Sequence, residues 1–286
     1  MVKSKNDLAA MAIKDALRIR RQITRHFEKP ICIYDAVESL GVTVRFVDIS
    51  SMEGMYSKVP GPLILLSSGR PAGRQAFTCA HELAHHHFDH GTKVDQLLAD
   101  KESNDPKEFI ANCFAGAVLM PQTAITNAFA IRNWSVKSPS ATQVYVIANY
   151  LGVGYETLLT QMDVALRLIQ RPVRLDLMKQ KLGDIRMELT GGGNSQNLIV
   201  VDQYWMSRPV DIQVDDFVLL PHGTTKEGHC ITKVMESSKG VLFRGVASGI
   251  GRFVNSGLGW TSFVRVSRNM YVGLNEYRHL EDSQDE

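Results

Sequence analysis

Cysteine, surplus charge and long apolar runs are all scarce in this chain. Its 286 residues hold four cysteines, Cys32, Cys79, Cys113 and Cys230, far apart and without a CxxC pair. That excludes the motifs built on this spacing and points to reduced, mostly buried thiols in a cytosolic protein. A formal net charge of +2 gives no general electrostatic case for binding nucleic acid or a membrane. No apolar run approaches the roughly 18–20 residues that span a bilayer. Charges interrupt the N-terminal stretch MVKSKNDLAAMAIKDALRIRRQ, which does not read as a secretory signal. There is no internal repeat and no low-complexity tract. The run Gly191-Gly192-Gly193-Asn194-Ser195 is followed by no GKS or GKT, so it reads as a linker, not a phosphate loop. What remains is an ordinary globular composition, long enough for one large domain or two to three small ones.

Periodicity supplies the elements. Leu8, Met11, Ala12, Ala16, Ile19 and Ile23 recur mostly at spacings of three and four, which predicts an amphipathic helix over 7–27 ending before Pro30. Its other face carries Lys14, Arg18, Arg20, Arg21 and Arg25 and reads as solvated, with nucleic-acid contact as the alternative. A short helix over 33–40 stops at Gly41, and strands are expected over 42–49 (VTVRFVDI) and 62–68 (PLILLSS). Further helices are expected over the stretch after Gly69, from Glu108 to Met120, over 121–131 and over 141–168. The last has two halves around Leu151-Gly152-Val153-Gly154, the outline of a helix-turn-helix, although many helical hairpins also break at glycine. Beyond residue 195 the short β-rich runs NLIVVDQYW, DDFVLLP, HCITKVM, GVLFRGV and SFVRVS predict a small antiparallel barrel or sandwich. The acidic end, HLEDSQDE, reads as a frayed tail.

Chemistry concentrates in QAFTCAHELAHHHFDH, residues 75–90, which holds five histidines. His81-Glu82-Leu83-Ala84-His85 fits H-E-x-x-H. On a helix His81 and His85 share one face, one turn apart, and two imidazoles so placed can bind one Zn²⁺ at about 2.0–2.1 Å. Glu82 lies about 100° round the helix, off the ligand axis but placed to take a proton from water activated there. A catalytic zinc needs a third protein ligand. The extended motif with a glycine and a third histidine is absent, because Phe88 and Gly91 occupy those places. Asp89, one turn beyond His85, could reach the metal, and so could His90 if the helix ended just before it. Glu108 is favoured: it stands with Ala111, Ala115 and Val118 on the core-facing side of its helix, where a polar group without a partner costs on the order of 2–7 kcal/mol. His86, His87 and His90 read as surface or supporting positions, with Asp89 or Asp105 available to orient a ligand imidazole. His26, His222, His229 and His279 are isolated and read as structural. His₂Glu suits Zn²⁺, with Mn²⁺ or Fe²⁺ as alternatives.

These residues carry a family likeness. Arg74, Phe77, Thr78, Ala80, His81, Glu82 and His85, followed by Glu108, Ala111, Asn112, Phe114, Ala115, Leu119, Met120 and Pro121, make residues 31 to about 121 resemble the ImmA/IrrE family of bacterial metallopeptidases. Ala84 stands for the usual glycine, Ala76 for a frequent arginine, and Ser67 and Ser68 where an asparagine is common. The likeness fades after about residue 130. It implies an α+β chain with a minimal zincin-like metallopeptidase domain over 1–130 and a helical, helix-turn-helix-like segment over 131–190. The β-rich domain over 195–286 matches no feature of the family and could gate the protease as a sensor. The resemblance also supports Glu108 as third ligand with His81 and His85, Glu82 as catalytic base, and a cytoplasmic enzyme. The family's usual role is cleavage of a helix-turn-helix repressor to induce stress, DNA-damage or mobile-element genes. Tyr56, Arg74 and the histidines after His85 are the options for an oxyanion donor. The competing function is a non-proteolytic transcriptional regulator or antitoxin-like module that keeps the metal fold for structure. No membrane partner is expected, and direct DNA binding by 141–168 has only weak support.

Overall fold

Ser4 and Asp7 form a reciprocal capping box that satisfies two of the donors left open at a helix start. The helix they begin, α1 (Lys5–Ile23), ends at Thr24 instead of running on to residue 27, because the backbone there turns extended. The Arg20 guanidinium explains the turn. It donates to Phe27 O at 3.2 Å and to Lys29 O, and across the fold to Val118 O at 2.5 Å. Arg20 is therefore no part of a solvated basic face: it is fully buried. Burial pulls its pKa down to about 10, with Glu28 acting the other way.

The computed structural model describes residues 4–91, 93–96, 105–192, 197–205 and 208–280. The expected linker residues Gly193, Asn194 and Ser195 and the tail from 281 to 286 lie outside the described residues. After α1 come α2 (Ile33–Ser39), β1 (Thr43–Val47), β2 (Met52–Ser57), β3 (Leu63–Ser67), α3 (Ala72–His87), β4 (Lys93–Gln96), α4 (Pro106–Leu119), α5 (Gln122–Ala130), α6 (Ala141–Leu151), α7 (Tyr155–Thr160), α8 (Arg171–Leu177) and α9 (Leu182–Thr190). A π-helical turn, Gln161–Ala165, continues α7. The strands β5 (Leu198–Val200), β6 (Val210–Gln213), β7 (Phe217–Leu220), β8 (Thr225–Glu227), β9 (Ile231–Ser237), β10 (Gly240–Gly245), β11 (Gly249–Asn255), β12 (Trp260–Ser267) and β13 (Gly273–Leu274) follow. The fold is mixed α and β.

Packing divides the chain into two units. The first is Met1–Asn127 with Leu151–Gly154 and Val272–Asn275; the second is Ala128–Tyr150, Tyr155–Tyr271 and Glu276–Glu286. In the first, a five-stranded sheet has the order β13-β1-β3-β2-β4, with β1 and β3 parallel and the other pairs antiparallel. Helix α3 packs on β2 and β3 on one side and on α4 on another, and α4 packs on α1. The stretch Pro106–Ala130 is long and apolar enough by composition to cross a membrane, but 67% of its apolar window is buried inside the fold, and it serves here as core.

The start of α3 is pinned by a close backbone approach. A Cβ on Gly73 would lie 2.6 Å from Gly154 N and 2.7 Å from Val153 C. Helix propensity alone favours alanine over glycine by about 1 kcal/mol. Gly73→Ala should nevertheless destabilise by roughly 1–3 kcal/mol, because rigid backbone must move. A thermal melt of the variant with an unchanged or raised midpoint would refute the contact.

The second unit has two open four-stranded sheets, β5-β7-β10-β9 and β6-β12-β11-β8. Of the expected antiparallel barrel or sandwich, the barrel is corrected: the described residues close none, and each sheet contains one parallel pair, β5 with β7 and β6 with β12, so neither sheet is purely antiparallel. Arg132 is buried here, gripping Asp202 through two hydrogen bonds of 2.7 and 2.9 Å with its guanidinium over the Tyr150 ring. Asp211 accepts from Arg265 at 2.6 and 2.8 Å and from Arg278 at 3.1 Å. Arg278 also donates to His279 Nε2 at 2.7 Å.

His279 gives this unit an acid-sensitive element. Burial first, then Arg278, lowers its pKa from 6.5 to about 3, against the pull of Asp211. Between those values the unfolded chain binds a proton that the folded chain refuses, so stability falls as pH drops from 6.5 toward 3. Asp216 acts in the opposite sense: burial raises its pKa from 3.8 to about 6, so protonating it stabilises the fold as pH falls through 6. His279→Gln keeps an acceptor for Arg278 and should flatten the acid decline by an amount on the order of a few kcal/mol by pH 4. Urea midpoints measured across pH 4–7 check this; parallel curves for variant and wild type would contradict it.

Candidate metal centre

Small side chains set how closely α3 approaches its neighbours. Ala76, Ala80 and Ala84 are buried along it, which brings the helix backbone close to the sheet and to α4. His81 and His85, four residues apart, then face Glu108 in the first turn of α4. Asp105 caps that turn by accepting from Lys107 N at 2.9 Å, and Pro106 follows it, the residue best tolerated at a first helical position.

Three atoms converge. His81 Nε2 lies 3.1 Å from His85 Nε2 and 3.1 Å from Glu108 Oε2, and His85 Nε2 lies 3.7 Å from Glu108 Oε2. Ligand atoms on a tetrahedron about 2.0–2.1 Å from its centre would be about 3.3–3.4 Å apart, so the three residues fit one small ion. Both imidazoles are buried and the carboxylate is half-buried. His81, His85 and Glu108 could together hold a metal ion.

The opposite nitrogens are held as well. His81 Nδ1 meets Asn112 Oδ1 at 3.0 Å. An amide oxygen only accepts, so Nδ1 carries the proton and Nε2 is left with its lone pair toward the cluster. His85 Nδ1 meets His90 Nδ1 at 2.9 Å. Sequence reasoning had offered Asp89 or Asp105 for this orienting work. Asn112 had a legible signal, since it follows Glu108 by four residues and so shares its helix face; His90 was read only as a surface or supporting position, with no partner named for it.

Glu82 is fully buried. It faces β2, where a Cβ on Gly54 would lie 2.4 Å from Thr78 Cγ2 and 3.0 Å from Glu82 Oε1. The bare glycine lets the strand lie flush against the carboxylate. One turn further, Tyr56 OH meets His86 Nδ1 at 2.9 Å. Burial raises the Tyr56 pKa and lowers that of His86, so the pair is neutral at physiological pH. The remaining options lie elsewhere. Asp89 is exposed and pairs with Lys58 at 2.9 Å. Arg74 pairs with Glu53 at 2.7 Å. His87 stacks on Phe114 with ring centroids 5.6 Å apart.

Two histidines on one helix and a carboxylate from the next are the donor set of a metallopeptidase-like domain, and comparison with known families agrees. Residues 37–162 match the model of the peptidase M78 family, described as an IrrE N-terminal-like domain. No curated relative matches the chain. Among solved structures, a transcriptional regulator from Mycobacterium tuberculosis is similar at 18% identity with a TM-score of 0.36; the match covers 56% of this chain and 48% of that one. The chain thus spans about half the length of that protein.

Proposed function

We propose that the chain is a metal-dependent endopeptidase acting on a protein substrate. The observation that carries this reading is the convergence of His81 Nε2, His85 Nε2 and Glu108 Oε2 within 4.8 Å of one another, with Glu82 on the next face of the same helix. His81, His85 and Glu108 would hold the ion, zinc by donor type, with Mn²⁺ or Fe²⁺ as alternatives. When bound, zinc supplies Lewis acidity that polarises a peptide carbonyl and makes water acidic near neutral pH. Glu82 takes the proton of the attacking water and returns it to the leaving amide nitrogen. Asn112 and His90 keep the two imidazoles turned toward the cluster.

The substrate we favour is a helix-turn-helix repressor, whose cleavage would induce stress, DNA-damage or mobile-element genes in the cytoplasm; the match of residues 37–162 to the IrrE N-terminal-like family model supports this. The four cysteines form no disulfide among the described residues, consistent with that compartment. The chain's own α6–α7 hairpin favours a protein over DNA as partner. Helix α7 carries no Lys or Arg, and Tyr155, Leu158 and Leu159 are buried, so it lacks the phosphate contacts that seat a recognition helix.

The test is a comparison of new protein N-termini in cells making the wild-type chain or its Glu82→Gln variant. Cleavages found only with the wild type identify the substrate. Identical N-terminal sets from both, with the chain folded and metal-loaded, would end the protease reading.

A further inference from the structure

We propose that His90 is a positioning residue for His85, delivered by the stop signal of the helix that carries the site. The inference rests on the metal reading above and deepens it. On a continuing helix, residue 90 would lie about 140° round from residue 85, and the two rings could not meet. The helix does not continue. Phe88 N bonds Ala84 O at 2.9 Å, Asp89 N bonds His86 O at 3.2 Å and His90 N bonds His85 O at 3.0 Å. Asp89 has φ +51°. The last two of these bonds, with a left-handed residue between them, make a Schellman stop, and aspartate is one of the few residues that visits this conformation.

The stop reverses the chain so that the His90 ring falls on the His85 ring, with centroids 5.0 Å apart at 65°. The Nδ1 atoms are 2.9 Å apart, so one proton lies between them. If His85 Nε2 is to offer its lone pair to a metal, that proton belongs to His85 Nδ1, and His90 Nδ1 accepts it. His90 then carries its own hydrogen on Nε2. Phe88 stacks on the His90 ring with centroids 5.7 Å apart, and Lys107 Nζ donates to the His90 carbonyl at 3.3 Å. Both contacts hold the acceptor still. A ligating histidine ordinarily gives this proton to a carboxylate, a carbonyl or water. Here the partner is a second imidazole that the helix terminus folds into place.

The experiment measures zinc affinity by chelator competition on the full chain for wild type, His90→Leu and His90→Asn, together with the melting midpoint of each metal-free form. Leucine keeps bulk without an acceptor and should weaken zinc binding roughly 10- to 100-fold, leaving the metal-free midpoint unchanged. Asparagine places Oδ1 where Nδ1 stood and should restore the affinity. Nitrogen NMR of the zinc-loaded wild type should show His90 protonated on Nε2 alone. Equal affinities for wild type and His90→Leu, a loss that asparagine does not restore, or a His90 proton on Nδ1 would each overturn the assignment. A wild-type chain that takes up no zinc overturns the metal reading beneath it, an outcome visible without any variant.

Discussion

Replacing Glu82 by glutamine should leave a folded chain that binds zinc like the wild type and has lost roughly a hundred- to ten-thousand-fold in peptide hydrolysis, the usual contribution of a positioned base. The side chains are isosteric, so the fit against Gly54 survives while the proton acceptor is gone. Cleavage of the protein identified by its new N-terminus is the readout, with zinc content and a melt as controls. A loss of activity that came with a loss of metal would mean that Glu82 supports the ligands and is not the base. Full activity in the variant would remove Glu82 from the chemistry.

Removing the third ligand should have the larger effect on the metal itself. Wild-type chain, purified without a tag, should carry about one zinc by elemental mass spectrometry, as a single three-ligand site implies. Glu108→Ala should carry almost none. The same loss should appear in stability, because an ion that binds only the folded state lowers that state's free energy by mass action. A strong chelator should therefore lower the melting midpoint of the wild type and leave that of Glu108→Ala unchanged. Melts of the two metal-free forms separate this metal effect from the loss of the 3.1 Å contact between Glu108 and His81. Zinc retained by the variant would return Asp89 or His90 to consideration as ligands. Zinc absent from the wild type, even after reconstitution, would favour the regulator or antitoxin-like reading.

What could be read in advance follows the range of the interactions involved. His81, Glu82 and His85 are legible because one helical turn fixes their mutual geometry. Glu108 is legible because a carboxylate on an otherwise apolar helix face demands a partner, and the structure brings it to the two histidines. Strand β2 gave no such signal. Met52, Gly54 and Tyr56 are its buried positions, a glycine among them, and no β-branched residue marks it; its conformation comes from pairing with β3 and β4 on either side. Arg20 looked like one arginine of a basic face, and only the carbonyls left open at Phe27, Lys29 and Val118 bring it inside. In the second unit the β-rich texture was plain, but the parallel pairs β5–β7 and β6–β12 join segments distant in sequence, where alternation says nothing about the neighbour. His90 could be read only as a surface or supporting position, because its meeting with His85 depends on the left-handed backbone at Asp89.

The last pairing in the first sheet sets a timetable for synthesis. Strand β1 is covered on one edge by β13 through Arg45 opposite Leu274 and Phe46 opposite Gly273. On the ribosome β1 (Thr43–Val47) emerges well before β13 (Gly273–Leu274), with the delay set by synthesis at about 5–20 residues per second. For that interval the nascent sheet has an open edge at β1, the kind of edge that recruits other chains. A release that stops short of Gly273 would leave that edge open for good, so a truncated product should be an aggregation hazard even when every metal ligand is present.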